Sequence, residues 1–225
     1  MQEKQVKQIE RIYDFTKSIL ATDQTGHGMD HIDRVRLLIT HLLKSEPTAD
    51  EFITLAAGIL HDTYDDKLTA DVAIAKQNVV TFLNKIGVTT AQASEIFQII
   101  DNMSWSKQRF GQPEPLTLAG QIVQDADRLE AIGAIAVARV IQYGVQAGHA
   151  LYDPTMPPRE LKTKAEYRDP TGETMINHFY EKLFLLKDYL NTTEAKRIGE
   201  KRDRVMRAFV AAFEDEWASH DYLSE

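Results

Sequence analysis

Three places in this 225-residue chain combine residue types that could do chemistry together. His27 and His31 stand four apart in GHGMDHIDRV. His61 and Asp62 are consecutive at the end of LAAGILHD. Asp125 and Asp127 interrupt the mostly apolar run QIVQDADRLEAIGAIA. A carboxylate in apolar surroundings must be paired, neutralised or bound to a cation. Imidazole and carboxylate groups together suit a divalent transition metal. His31, His61, Asp62 and Asp127, brought around one point from three helices, would cage an ion. Neighbouring residues of a helix differ by about 100° in direction. His61 and Asp62 can therefore share an ion only where it lies between their faces, most easily at a helix end. Asp125 stands about 200° around from Asp127 and should point elsewhere, beside the site or to the surface.

The elements that must position these groups read as helices. Val6, Ile9, Ile12, Tyr13, Thr16, Ile19 and Leu20 follow a 3.6-residue period, as do Ile32, Val35, Leu38, Ile39, Leu42 and Leu43. Thr48 with Glu51 reads as a capping box, and Thr89 with Gln92 as a second. Asp71 opens a segment that Gly87 should close. Leu116–Tyr143 reads as one long helix with Gly133 in its interior. Thr174–Leu190 and Thr193–Ser219 are the last two helices. No stretch alternates in the manner of a strand. The expectation is an all-α, single-domain fold of about seven to nine helices. Trp105–Pro115 and the Pro-rich Gly144–Gly172 are expected to be irregular.

Composition narrows the class. The hydrophobic share of 43% and the length suit a globular chain with a full core. Absence of cysteine excludes disulfides, thiolate metal sites and cysteine nucleophiles. The polar start MQEKQVKQIE is no signal peptide. No uncharged run reaches the about 18 residues of a membrane span. A net charge of −8 with no long basic run argues against a duplex nucleic-acid binder. A soluble cytoplasmic protein with no membrane partner is expected; a homodimer stays open.

The order His31, His61-Asp62, Asp127 resembles the signature of the HD-domain superfamily of metal-dependent phosphohydrolases. HIDRV after His31 is similar to the family's H-x-x-R-V, and LAAGILHDTYDDK to the helix carrying the His-Asp pair. QDADRLEAIGAIAVAR, HFYEKLFLLKDYLNT and FVAAFEDEW resemble a small bacterial single-domain branch, the YpgQ-like and YedJ-like proteins. The likeness covers roughly residues 20–217, so residues 1–225 are expected to form a single HD domain. Gly28 departs from it, standing where many relatives carry Asp.

The resemblance implies that His31, His61, Asp62 and Asp127 bind a divalent metal. Two imidazoles disfavour Mg²⁺, leaving Mn²⁺ as first choice and Fe²⁺, Co²⁺ or Ni²⁺ as alternatives. Asp65 takes the position where some relatives carry an acidic residue that orients the attacking water; it is the candidate catalytic base. Arg34 borders the face of His31 and offers a phosphate-matching fork. Lys67, Arg128, His178 and Lys182 are further phosphate contacts by the motif match, and His27 is placed with them. Trp105, Lys107, Arg109 and Phe110 could frame a lid. The implied substrate is a small phosphorylated molecule, probed first as a nucleotide. The implied reaction is (d)NTP pyrophosphohydrolysis. The alternatives are a 5′-nucleotidase or phosphodiesterase, an inactive nucleotide-binding sensor module, and a helical scaffold whose His and Asp are structural.

Overall fold

The computed structural model describes residues 1–21, 28–66 and 68–219. Among them it holds eleven α-helices and no strand beyond one isolated bridge, so the fold is all-α. The additional helices are short segments inside stretches expected to be irregular and one long helix that proves to be two. No helix of the described residues is long and apolar enough to cross a membrane. The chain divides into two compact units, residues 1–127 and 128–225.

The first unit is built around a buried helix. α1 (Glu3–Leu20) and α2 (Met29–Leu42) each bury one stripe; that of α2 is His31, Ile32, Val35, Ile39 and Leu42. α3 (Glu51–Leu60) is buried from Phe52 to Leu60 and packs on α1, α2 and α5. A helix apolar all round can be satisfied only in a core. Its N-cap is Asp50, whose side chain accepts from the Ile53 N–H at 3.0 Å. The expected Thr48–Glu51 box does not form. Thr48 sits exposed in the preceding turn, and the Asp50 carboxylate is the stronger cap. Asp71 caps α4 (Val72–Lys85), and Gly87 follows it at φ +75°. Thr89 and Gln92 form the expected box at the start of α5 (Thr90–Met103). Ser104 caps a short α6 (Trp105–Phe110), so part of the stretch expected to be irregular is helical.

The long helix expected over 116–143 is two: α7 (Leu118–Glu130) and α8 (Ala134–Ala147). Gly133 between them has φ +95°, a conformation that breaks the helix and strains any side chain. A β-carbon there would also crowd Arg202 Cγ at 3.0 Å. The division between the units falls within α7, after Asp127.

In the second unit α8 ends at the left-handed Gly148. The proline-rich stretch carries a short α9 (Lys164–Arg168). It rejoins the fold through a bridge between Ala150 and Thr174. The single helix expected over 174–190 is instead a π-helical turn at Phe179–Leu183, a short α10 (Phe184–Leu186) and a 3₁₀ turn at Lys187–Tyr189. The wide turn keeps Phe179, Leu183 and Phe184 buried while Glu181 faces Arg159. α11 (Thr193–Trp217) closes the described chain, capped by Thr192.

Candidate metal centre

His31 enters the core because it belongs to the buried stripe of α2. His61 is the C-cap of α3, and Asp62 follows it in a hydrogen-bonded turn in which Thr63 N–H donates to Leu60 and Asp65 N–H to Asp62. Asp127 lies on α7. His31 Nε2, His61 Nε2 and Asp127 Oδ1 converge so that one ligand atom from each lies within 4.8 Å of the others. The two Nε2 atoms are 3.1 Å apart, and each is 3.7 Å from Asp127 Oδ1. Asp62 Oδ2 lies 3.5 Å from His31 Nε2 and 3.4 Å from His61 Nε2. The His31, His61 and Asp62 side chains are buried, while a third of Asp127 is exposed, which makes Asp127 the open side.

These spacings fit a shared cation. Bonds of about 2.1 Å put neighbouring ligand atoms about 3.0 Å apart at right angles and about 3.4 Å apart at tetrahedral angles. His61 Nδ1–H donates to the Gly58 carbonyl at 2.9 Å, which turns the lone pair of Nε2 toward the cluster. Burial is the largest influence on His61 and pushes its pKa down. Asp62, Asp127, the Gly58 carbonyl and Asp65 together outweigh it, so the net direction is up. The cluster thus attracts positive charge, as a proton or as a metal ion. Two imidazole nitrogens with carboxylate oxygens suit Mn²⁺, Fe²⁺, Co²⁺ or Ni²⁺ better than Mg²⁺.

Asp65 is half-buried in the turn after the His-Asp pair and is close enough to raise the His61 pKa. α3 itself stops at Leu60, so Asp65 is carried by successive turns rather than by a continued helix. Asp125 is fully buried, which removes the surface alternative for it. Arg34 Nη1 donates to Asp30 at 2.8 Å on the same helix. His27 and Lys67 lie outside the described residues.

Arg128, His178 and Lys182 belong to the second unit. Arg128 is buried and donates from Nη1 to the Tyr189 carbonyl. His178 pairs through Nδ1 with Glu173 Oε1 at 3.1 Å. Burial, with Lys182 acting in the same sense, holds the His178 pKa below its ordinary value against the pull of Glu173 and Glu181. Lys182 Nζ lies 5.8 Å over the Tyr167 ring. In the lid candidate, Trp105 is buried, and Ser104 Oγ accepts from the Lys107 N–H at 3.2 Å.

Sequence reasoning missed two supports of the centre. Gly58 holds His61 through its carbonyl and lets α2 approach α3; its only signal was a glycine inside an otherwise apolar helix. Tyr64, two residues after Asp62, donates from its hydroxyl to Asp101 Oδ1 on α5 at 3.1 Å. No sequence spacing could pair residues 37 positions apart.

An all-α fold with two histidines and two carboxylates gathered at the end of a buried helix defines the class, and comparison with known proteins names it. The HD domain model matches residues 28–132. The chain belongs to the HD-domain family and is an HD-superfamily hydrolase. It is 34% identical over 211 residues to the protein YpgQ of Bacillus subtilis (strain 168), covering 94% of each chain. A crystal structure of YpgQ in complex with ADP superposes with TM-score 0.75 at 31% identity, covering 95% of this chain and 96% of that one. A crystal structure from Lactobacillus plantarum gives TM-score 0.86 at 44% identity over 97% and 99%. An HD-superfamily hydrolase from Bacillus thuringiensis gives 0.74 at 36% over 95% and 98%.

Proposed function

We propose that this protein is a metal-dependent phosphohydrolase of nucleotides that cleaves (d)NTPs to a nucleoside monophosphate and pyrophosphate. The observation carrying the reading is the convergence of His31, His61 and Asp127 with Asp62 alongside. The ADP bound to YpgQ supports a nucleotide as ligand.

His31, His61, Asp62 and Asp127 would hold the metal, with Mn²⁺ assigned first. When bound, it lowers the pKa of a water and polarises the phosphate. The Gly58 carbonyl keeps His61 in the ligating tautomer. Asp65 orients the water and receives its proton. Attack at the α-phosphorus forms one P–O bond and breaks the bond to the bridging oxygen, which leaves as pyrophosphate. Arg34 exchanges its Asp30 partner for a phosphate oxygen. Lys67, Arg128, His178, Lys182 and His27 are assigned as further phosphate contacts on the motif match alone.

The test is hydrolysis of dNTPs, NTPs, NMPs and cyclic nucleotides with Mn²⁺, assaying phosphate and pyrophosphate separately, with His61→Ala as control. Pyrophosphate from triphosphates, lost in the variant, is expected. Phosphate from monophosphates would make the protein a nucleotidase, and cleavage of cyclic substrates a phosphodiesterase. Nucleotide binding without turnover would leave a sensor module.

A further inference from the structure

The turn bearing His61, Asp62 and Asp65 is tied down from outside the ligand set. Tyr64 is buried, and its ring meets the Phe97 ring of α5 at 6.1 Å between centroids. Its hydroxyl donates to Asp101 Oδ1 at 3.1 Å. The other carboxylate oxygen, Oδ2, accepts from Lys76 Nζ on α4. That ammonium also lies 5.6 Å over the Tyr64 ring and 5.3 Å over the Phe97 ring. Three side chains from two helices of the first unit, Lys76 of α4 and Phe97 and Asp101 of α5, thus close on Tyr64 in the turn between Asp62 and Asp65.

Burial of the ring does not itself call for the hydroxyl, because a phenylalanine would fill nearly the same volume. What the hydroxyl adds is direction. A hydrogen bond to a charged acceptor is strong and angle-dependent. It fixes the rotation of the turn that aims His61 and Asp62 at His31. We infer that Tyr64, Asp101 and Lys76 form a positioning cluster that sets the metal affinity of the His-Asp turn. The inference rests on the reading of the four residues as metal ligands.

Metal affinity tests it. Mn²⁺ is titrated calorimetrically into metal-free wild type, Tyr64→Phe, Asp101→Ala and Asp101→Asn, well below each variant's unfolding midpoint. Outer partners of metal ligands typically carry about 10–100-fold in affinity. Tyr64→Phe and Asp101→Ala are each expected to weaken Mn²⁺ binding about 10-fold, the low end of that range. Asp101→Asn keeps an oxygen acceptor for the hydroxyl but loses the oxygen and the charge that Lys76 donates to, so its Mn²⁺ affinity should fall between those of wild type and Asp101→Ala. A purely structural role would lower the unfolding midpoint and leave the affinity of the folded chain unchanged. The inference is overturned if wild type binds Mn²⁺ and Tyr64→Phe matches it within about twofold, well short of an outer-partner effect. It is equally overturned if Asp101→Ala binds as wild type does. Wild type that takes up no Mn²⁺ overturns the metal reading itself, a result distinct from either.

Discussion

Gly58 and Ile39 are in such close approach that a β-carbon on Gly58 would stand 2.1 Å from Ile39 Cδ1. This contact sets how near α3 comes to α2; α2 carries His31, and His61 is the C-cap of α3.

Gly58→Ala tests the contact. Helix propensity alone would stabilise by about 1 kcal/mol. Overpacking a tight core costs about 1–3 kcal/mol, and Ile39 is fully buried with little room to turn. The net expectation is destabilisation of about 1–2 kcal/mol in urea unfolding, since the packing cost exceeds the propensity gain. Ile39→Val removes Cδ1, so the double variant should recover most of the loss. Additive losses in the two single variants would refute the contact as the cause.

Removing a ligand should remove metal and turnover together. His61→Ala and Asp62→Ala are expected to bind no Mn²⁺ and to show no hydrolysis. Asp65→Ala should keep its metal and lose about 100-fold in rate, the lower end for general base catalysis. Full rate in Asp65→Ala would assign the proton to another group. Mn²⁺ at about 100 times its dissociation constant should stabilise wild type by about 2.7 kcal/mol, and His61→Ala by nothing.

Arg159 holds the proline-rich stretch to the wide turn. Its Nε and Nη2 donate to Glu181 at 3.0 and 2.6 Å, and its Nη1 to the carbonyls of Asp169 and Thr171 at 2.7 and 3.1 Å. Arg159→Ala would leave the buried Glu181 carboxylate without its guanidinium partner, at a cost of about 3 kcal/mol. Limited proteolysis should then cut within 149–173 first. An unchanged cleavage pattern would show that other contacts secure this segment.

His178 should make stability depend on pH. Burial, seconded by Lys182, keeps its folded pKa below 6.5, and Glu173 and Glu181 oppose without prevailing. The unfolded chain therefore takes up a proton that the folded chain refuses. The contribution is complete above about pH 6.5 and is lost as the pH falls through the folded value. His178→Asn should flatten the fall of urea midpoint just below pH 6.5. Parallel pH curves for the two proteins would rule the residue out as the cause.

The helical class, the caps at Asp71 and Thr89 and the chain breaks near Gly87 were legible because they depend on residues a few positions apart. Gly133 shows the boundary of that legibility. Its cost in a helix was visible, but the break depends on a positive φ and on Arg202 pressing against it. The wide turn at Phe179–Leu183 was equally hidden, because a helical period over 174–190 says nothing of Arg159 facing Glu181.

The sequence by itself determined the all-α class, the residue types able to bind a metal and their order along the chain. Those are local properties: periodicity, side-chain chemistry and spacing. Only the tertiary structure decided that His31 Nε2 and His61 Nε2 lie 3.1 Å apart, that Gly58 orients one of them, and that Asp101 anchors Tyr64. Those relations join residues far apart in the chain, and the packing of whole helices, not any local preference, brings them within bonding distance.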